Sequence, residues 1–151
     1  MANEKIAPIP GSKYHLHPGF AMEAAFVRNL PEKTGKSLEE WIEVIKATGP
    51  KTMKEQVQWL KAGHGVTTNY ARTLAQRAQG SGGAADYHPE AIVDALFSGK
   101  QAHLRLIFEK LLQLGFELGE DVKACPCKTF VPLYRNHVFA QIKPTTNTRV
   151  D

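Results

Sequence analysis

The sequence predicts an α+β protein: a helical N-terminal domain of three to four helices, helix-turn-helix-like, followed by a helix packed on a small antiparallel sheet. Three observations carry that expectation. Apolar residues recur at helical spacing from Phe20 to Leu114. After Gly119 the period falls towards two, the spacing of a half-buried strand. Between the two lies Gln79–Ala85, QGSGGAA, a run of small residues that makes a flexible connection. The expected organisation is a flexible arm over 1–17, a helical domain over 18–79, a linker over 80–86 and an α+β domain over 87–151.

The arm is polar and holds Pro8, Pro10 and Gly11, which punctuate regular structure. His15 and His17 share a face only on a strand, where they would suit a metal; a tail that happens to hold two histidines is the simpler reading. Pro18 suits a helix start, and Phe20, Ala24 and Val27 predict a buried helix from Gly19 to about Asn29, closed by Leu30-Pro31. Ser37 with Glu40 three residues on forms a capping box for a second helix, whose core face is Leu38, Trp41, Ile42 and Ile45. Gly49-Pro50 ends it. Thr52 and Glu55 repeat the capping box before Met53, Val57 and Leu60. Gly63-His64-Gly65 stops this third helix, and Thr67 or Thr68 starts a fourth, with Tyr70, Leu74 and Ala78 on its apolar stripe. Trp41 and Trp59 read as core, with base stacking as the alternative.

In the second half Pro89 opens a helical pattern, Ser98-Gly99 interrupts it, and Leu104, Ile107, Phe108, Leu111 and Leu114 resume it. Val122–Ala124 reads as a first short strand, Lys128–Arg135 as a second and Val138–Lys143 as its return across Asn136-His137. Pro132 cannot donate to a ladder, so the second strand is expected at an edge or with a bulge. Arg149-Val150 resembles the beginning of one more strand.

With 151 residues and 42% apolar content the chain forms one ordinary domain or two small ones. No run approaches the ~18–20 apolar residues of a membrane span. No basic-then-apolar leader is present, and the two cysteines lie too close together for an ordinary staple. The expectation is a soluble cytoplasmic protein with no membrane partner.

Charge singles out Lys51–Gln79. Lys51, Lys54, Lys61, Arg72 and Arg77 stand there against Glu55, a surplus equal to the +4 of the whole chain. Two helices around a Gly-containing turn with a basic surface read as a polyanion site, most simply for nucleic acid. Lys54, Lys61, Arg72 and Arg77 would meet phosphates and His64 would sit at the turn; a solvated basic face is the plainer alternative. A second candidate is a small-molecule pocket between the C-terminal helix and the sheet, lined by Phe108, Phe130, Tyr134 and Phe139. Cys125-Pro126-Cys127 offers two thiols for a metal or for redox work, but the spacing is tighter than that of zinc sites and supplies two ligands of four. Ser98, His103 and Glu109 are not aligned by their spacing, and no Walker loop or H-E-x-x-H is present, so an enzyme of unknown class stands third behind the two binding readings and no cofactor is expected.

The stretches TGKSLEEWIEVIKATGP and QWLKAGHGVTTNYA resemble the N-terminal domain of an uncharacterised bacterial two-domain family, and KTFVPLYRNHVFAQIKP resembles its C-terminal domain. Similar C-terminal domains carry the label "predicted transport protein". The matching residues are Thr34, Gly35, Lys36, Trp41, Trp59, Leu60, Lys61, His64, Gly65 and Ala71, then Lys128, Thr129, Phe139, Ala140, Ile142 and Pro144. The resemblance implies a helical domain followed by a helix and an antiparallel sheet, and brings no catalytic residues. Members of that family continue with more strand and helix, so an open sheet edge is expected here, and with it a homodimer paired through that edge.

Overall fold

A computed structural model of the chain describes residues 6–151. They form two compact units: Gly19–Tyr87, and His88–Asp151 together with the N-terminal segment through Pro18.

The helical unit contains α1 (Gly19–Thr34), α2 (Leu38–Thr48), α3 (Met53–His64) and α4 (Thr68–Ala78). Its core gathers Leu30, Trp41, Ile45, Leu60, Val66, Ala71 and Leu74. The first helix runs past its expected end. Pro31 lies inside it and cannot donate to the Val27 carbonyl one turn back, yet the helix continues for a further turn, closed by Thr34 Oγ1 and Gly35 N–H donating to the Leu30 and Pro31 carbonyls at 2.8 and 2.9 Å. Leu30 is fully buried, so packing holds this last turn where local propensity opposes it. Ser37 and Glu40 form both halves of the capping box on α2. At α3 only one half forms: Thr52 Oγ1 accepts from the Glu55 N–H, while the Glu55 carboxylate takes the Thr52 hydroxyl at 2.7 Å rather than a backbone donor. Gly65, at φ 63°, is the left-handed cap that turns the chain into α4 after three residues.

After α4 the small-residue run folds back on its own unit. Gly83 sits at φ +88°, a backbone conformation that favours glycine, with the Arg77 guanidinium packed against it. A short 3-10 turn, Ala84–Asp86, follows.

The α+β unit contains α5 (Pro89–Leu96), a 3-10 stretch over Gly99–Leu104, α6 (Arg105–Glu117) and three antiparallel strands, β1 (Lys123–Ala124), β2 (Val131–Tyr134) and β3 (Val138–Ile142), in the order β1-β2-β3. Its core includes Val93, Phe97, Leu104, Phe108, Leu112, Val131, Leu133 and Ile142. The register pairs Ala124 with Leu133 and Val131 with Ile142, with an irregularity between Leu133 and Tyr134.

Of the two settings expected for Pro132, an edge or a bulge, the structure shows the second: Pro132 lies in the central strand, one residue before the irregularity between Leu133 and Tyr134. Its carbonyl accepts from Cys125 N–H on the β1 side, so its missing donor faces that same side, where β1 has already ended. One expectation is corrected, that of a flexible N-terminal arm. Residues 1–5 lie outside the described residues, but residues 6–17 are packed into the α+β unit. Tyr14 belongs to that unit's core at 1% exposure, and Ile6 is buried. His15 N–H donates to the Ala124 carbonyl at 2.8 Å, Lys123 Nζ to the Ile6 carbonyl at 3.2 Å, and Ser12 Oγ to Glu90. Two buried side chains with no helical or strand period between them leave no pattern for a sequence reading to find.

Candidate functional site

The basic surface is built on the α3–α4 pair. Leu60, Leu74, Ala71 and Ala75 are buried without residual exposure, and the two alanines let the helix backbones approach closely. Gln56, the buried polar side chain of this unit, donates to the Pro50 carbonyl at 2.8 Å and accepts from Gln79 at 3.2 Å. These bonds tie the start of α3 to the end of α4 and remove the cost of burying an amide.

Lys54, Lys61, His64 and Arg72 are all exposed. Lys54 and Lys61 are seven residues apart on α3 and so share one face. Lys61 lies about one turn before the connection between the helices and Arg72 about one turn after it. None of these three cations has an ion pair among the described residues. Glu55, the acid of the stretch, is turned into its cap. At the N-terminus of α4, Thr67 makes no side-chain capping bond and the first turn holds no acid, so neither a capping side chain of Thr67 nor a first-turn carboxylate offsets the positive end of the dipole.

Arg77 does not belong to this surface. Its Nε and Nη2 donate to Glu23 Oε1 at 3.1 and 2.8 Å, and both side chains are mostly buried, so the charge is spent on joining α4 to α1. A lone arginine in a basic stretch shows no sign in sequence of an acid 54 positions away.

Beside the basic surface lies an aromatic cluster. The His64 ring stands edge-on to Trp59 at 4.3 Å and to Trp41 at 5.3 Å, and Lys36 Nζ lies 5.4 Å from the Trp41 ring centre. Trp41 Nε1 donates to Thr34 Oγ1 at 2.7 Å. Thr34, Lys36, Trp41, Trp59 and His64 thus meet in one place from three separate segments. Trp41 is buried, whereas Trp59 is half-buried and His64 exposed, so only the latter two present rings to solvent.

The four aromatics of the small-molecule hypothesis do not converge. Phe108 is fully buried and stacks on Phe97 at 4.6 Å, whereas Phe139 is 43% exposed. Phe130 is half-buried, ahead of β2, and the Tyr134 hydroxyl lies 3.5 Å from His17 Nε2. A cleft of about 340 Å³ does occur in this unit, but Lys13, Glu109, Leu112, Gln113, Phe116 and Glu117 line it. Lys13 and Glu109 form an ion pair of 2.8 Å there.

Cys125 is buried and Cys127 half-buried, and both are free thiols. Burial pushes the Cys125 thiol up to about 12, with the neighbouring Cys127 adding to the shift, and burial raises Cys127 as well. Thiols held protonated are poor nucleophiles and poor ligands. Among the described residues no three His, Cys, Asp or Glu side chains gather as a metal site. His15 and His17 are both held below the ordinary histidine range, chiefly by burial, with Lys123 adding to the effect on His15. Among the described residues no helix is long and apolar enough to cross a membrane.

Residues 23–80 match the family model described as Domain of unknown function (DUF4287), and residues 93–151 match that described as Domain of unknown function (DUF5655). The chain therefore carries two adjacent domains of unknown function. No curated protein and no solved structure matches it.

Proposed function

We propose that the helical unit is a non-enzymatic binding module for a polyanion, most simply nucleic acid, which it engages through Lys54, Lys61 and Arg72 with His64 at the connection. The observation that carries this reading is a set of exposed cations on one helical pair with no ion pair among the described residues, so their charge is available to phosphates. The uncapped start of α4 adds backbone donors suited to phosphate oxygens. The half-buried Trp59 and exposed His64 supply ring surface next to the cations, the combination that single-stranded nucleic acids use. A reducing cytoplasmic location suits two free cysteines.

The test is binding of labelled mixed-sequence DNA and RNA at low salt, by fluorescence anisotropy, with wild type beside Lys61→Glu/Arg72→Glu. Micromolar binding lost in the variant supports the reading. No binding by the wild type at low salt overturns it and leaves the basic surface as ordinary solvation.

A further inference from the structure

Helix α6 carries apolar residues on two sides. One side, with Leu104 just ahead of it, is the core face of Phe108, Leu112 and Gly115. The other is in water. Leu106 is 80% exposed, Ile107 48%, Leu111 37%, Leu114 46% and Leu118 61%. Surface leucines scattered singly need no explanation, but these share one helix. Ile107, Leu111, Leu114 and Leu118 follow the 4-3-4 spacing of a helix-pairing seam, the pattern that places each side chain between residues of a facing helix. These four form one apolar stripe along the helix, while Leu106 lies beyond the flank that holds Lys110.

The flanks of the seam say what covers it. On one side the seam merges into the unit's own core at Phe108 and Gly115. On the other stand Lys110 and Glu117, of opposite sign and seven residues apart. Among the described residues Lys110 has no ion pair, and Glu117 has none either, accepting from Gln113 on its own helix at 2.8 Å. A surface with one cation and one anion at the two ends of an apolar seam is complementary to itself turned end for end. Two antiparallel copies set Leu111 against Leu114, Ile107 against Leu118, and Lys110 of each beside Glu117 of the other. A parallel pair leaves both charges without partners, because its flanking positions opposite are Phe108 and Gly115.

We propose that α6 is a homodimerisation helix, docking antiparallel on α6 of a second copy through Ile107, Leu111, Leu114 and Leu118, with reciprocal Lys110–Glu117 pairs. Four partly exposed side chains from each copy make a small interface, of the class that weak, reversible contacts use. Such a contact differs from pairing across the outer edge of β3, where Phe139 is exposed.

Sedimentation velocity from about 1 to 300 μM tests it, with far-UV circular dichroism to verify that each variant is folded. Wild type shifts from monomer to dimer over that range. Leu114→Glu, a change at an exposed position, weakens the dimer by about a hundredfold, because it sets a carboxylate in the closed seam. Lys110→Glu weakens it by roughly fivefold, and Lys110→Glu/Glu117→Lys restores it. Phe139→Glu leaves it unchanged. A wild type monomeric throughout, a dimer untouched by Leu114→Glu, a dimer lost with Phe139→Glu, or a double swap that fails to recover overturns the proposal.

Discussion

Replacing Tyr14 by alanine tests whether the N-terminal segment is part of the α+β core. Tyr14 is 1% exposed and packs in the cluster that holds Val93, Phe108 and Val131. A buried aromatic ring removes about 150–250 Å² from water, and truncating one to alanine costs about 3–5 kcal/mol in transfer and cavity terms together. That is a large part of the roughly 5–15 kcal/mol that stabilises a domain. The ring and not the hydroxyl supplies this, since the hydroxyl has no hydrogen-bond partner among the described residues. Tyr14→Phe therefore stays within about 1 kcal/mol of wild type. The assay is urea unfolding followed by far-UV circular dichroism. Tryptophan fluorescence serves as the internal contrast, because Trp41 and Trp59 both belong to the helical unit and follow that unit alone. Tyr14→Ala lowers the dichroism midpoint strongly with the α+β unit losing its structure first. An alanine variant within 1 kcal/mol of wild type by dichroism would refute the placement of this segment in the core.

Acidification should destabilise the α+β unit. His15 and His17 have folded pKa values below the ordinary 6.5, so the unfolded chain binds more protons below that value and stability falls as pH drops through 6.5 towards their folded values. The urea midpoint at pH 5.5 is then lower than at pH 7.5, and His15→Gln/His17→Gln flattens the difference; an unchanged midpoint contradicts the burial argument. Cys125, with its thiol near 12, should alkylate at least about a hundredfold more slowly at pH 8 in the native protein than in urea, read by mass spectrometry. Equal rates would show that the thiol is not sheltered. Arg77→Ala should cost the helical unit about 1–2 kcal/mol by tryptophan-monitored unfolding while leaving polyanion affinity within about twofold, because its charge is already paired with Glu23. A large affinity loss with unchanged stability would return Arg77 to the binding surface.

Local chemistry made much of the fold legible. The Ser37–Glu40 box, the Gly65 stop and the Ser98-Gly99 interruption all act within a few residues, and the helices begin and end where those signals stand. The change of period after Gly119 likewise marks the sheet. What was not legible depends on distant partners. Pro31 stays helical because Leu30 is buried and Thr34 is held by Trp41. Pro132 sits in a central strand because β1 is only two residues long. Of the candidate cations, Lys54, Lys61 and Arg72 remain exposed, and only the acid at Glu23, invisible from the 51–79 stretch, withdraws Arg77. Phe108 and Phe139 share an apolar character but face a core and solvent respectively, which composition does not distinguish.

If Lys54, Lys61 and Arg72 on α3 and α4 meet phosphates, the salt dependence of binding reads their number. Three contacts, from Lys54, Lys61 and Arg72, give a slope of about −2.7 for log affinity against log salt on duplex DNA, or roughly a fortyfold loss between 50 and 200 mM. Removing one contact with Lys61→Ala should reduce the slope by about one unit. A wild-type slope near −2.7 that falls to about −1.8 in the variant is the predicted result. Binding with a slope near zero, or one that Lys61→Ala leaves unchanged, would mean that these cations do not meet phosphates.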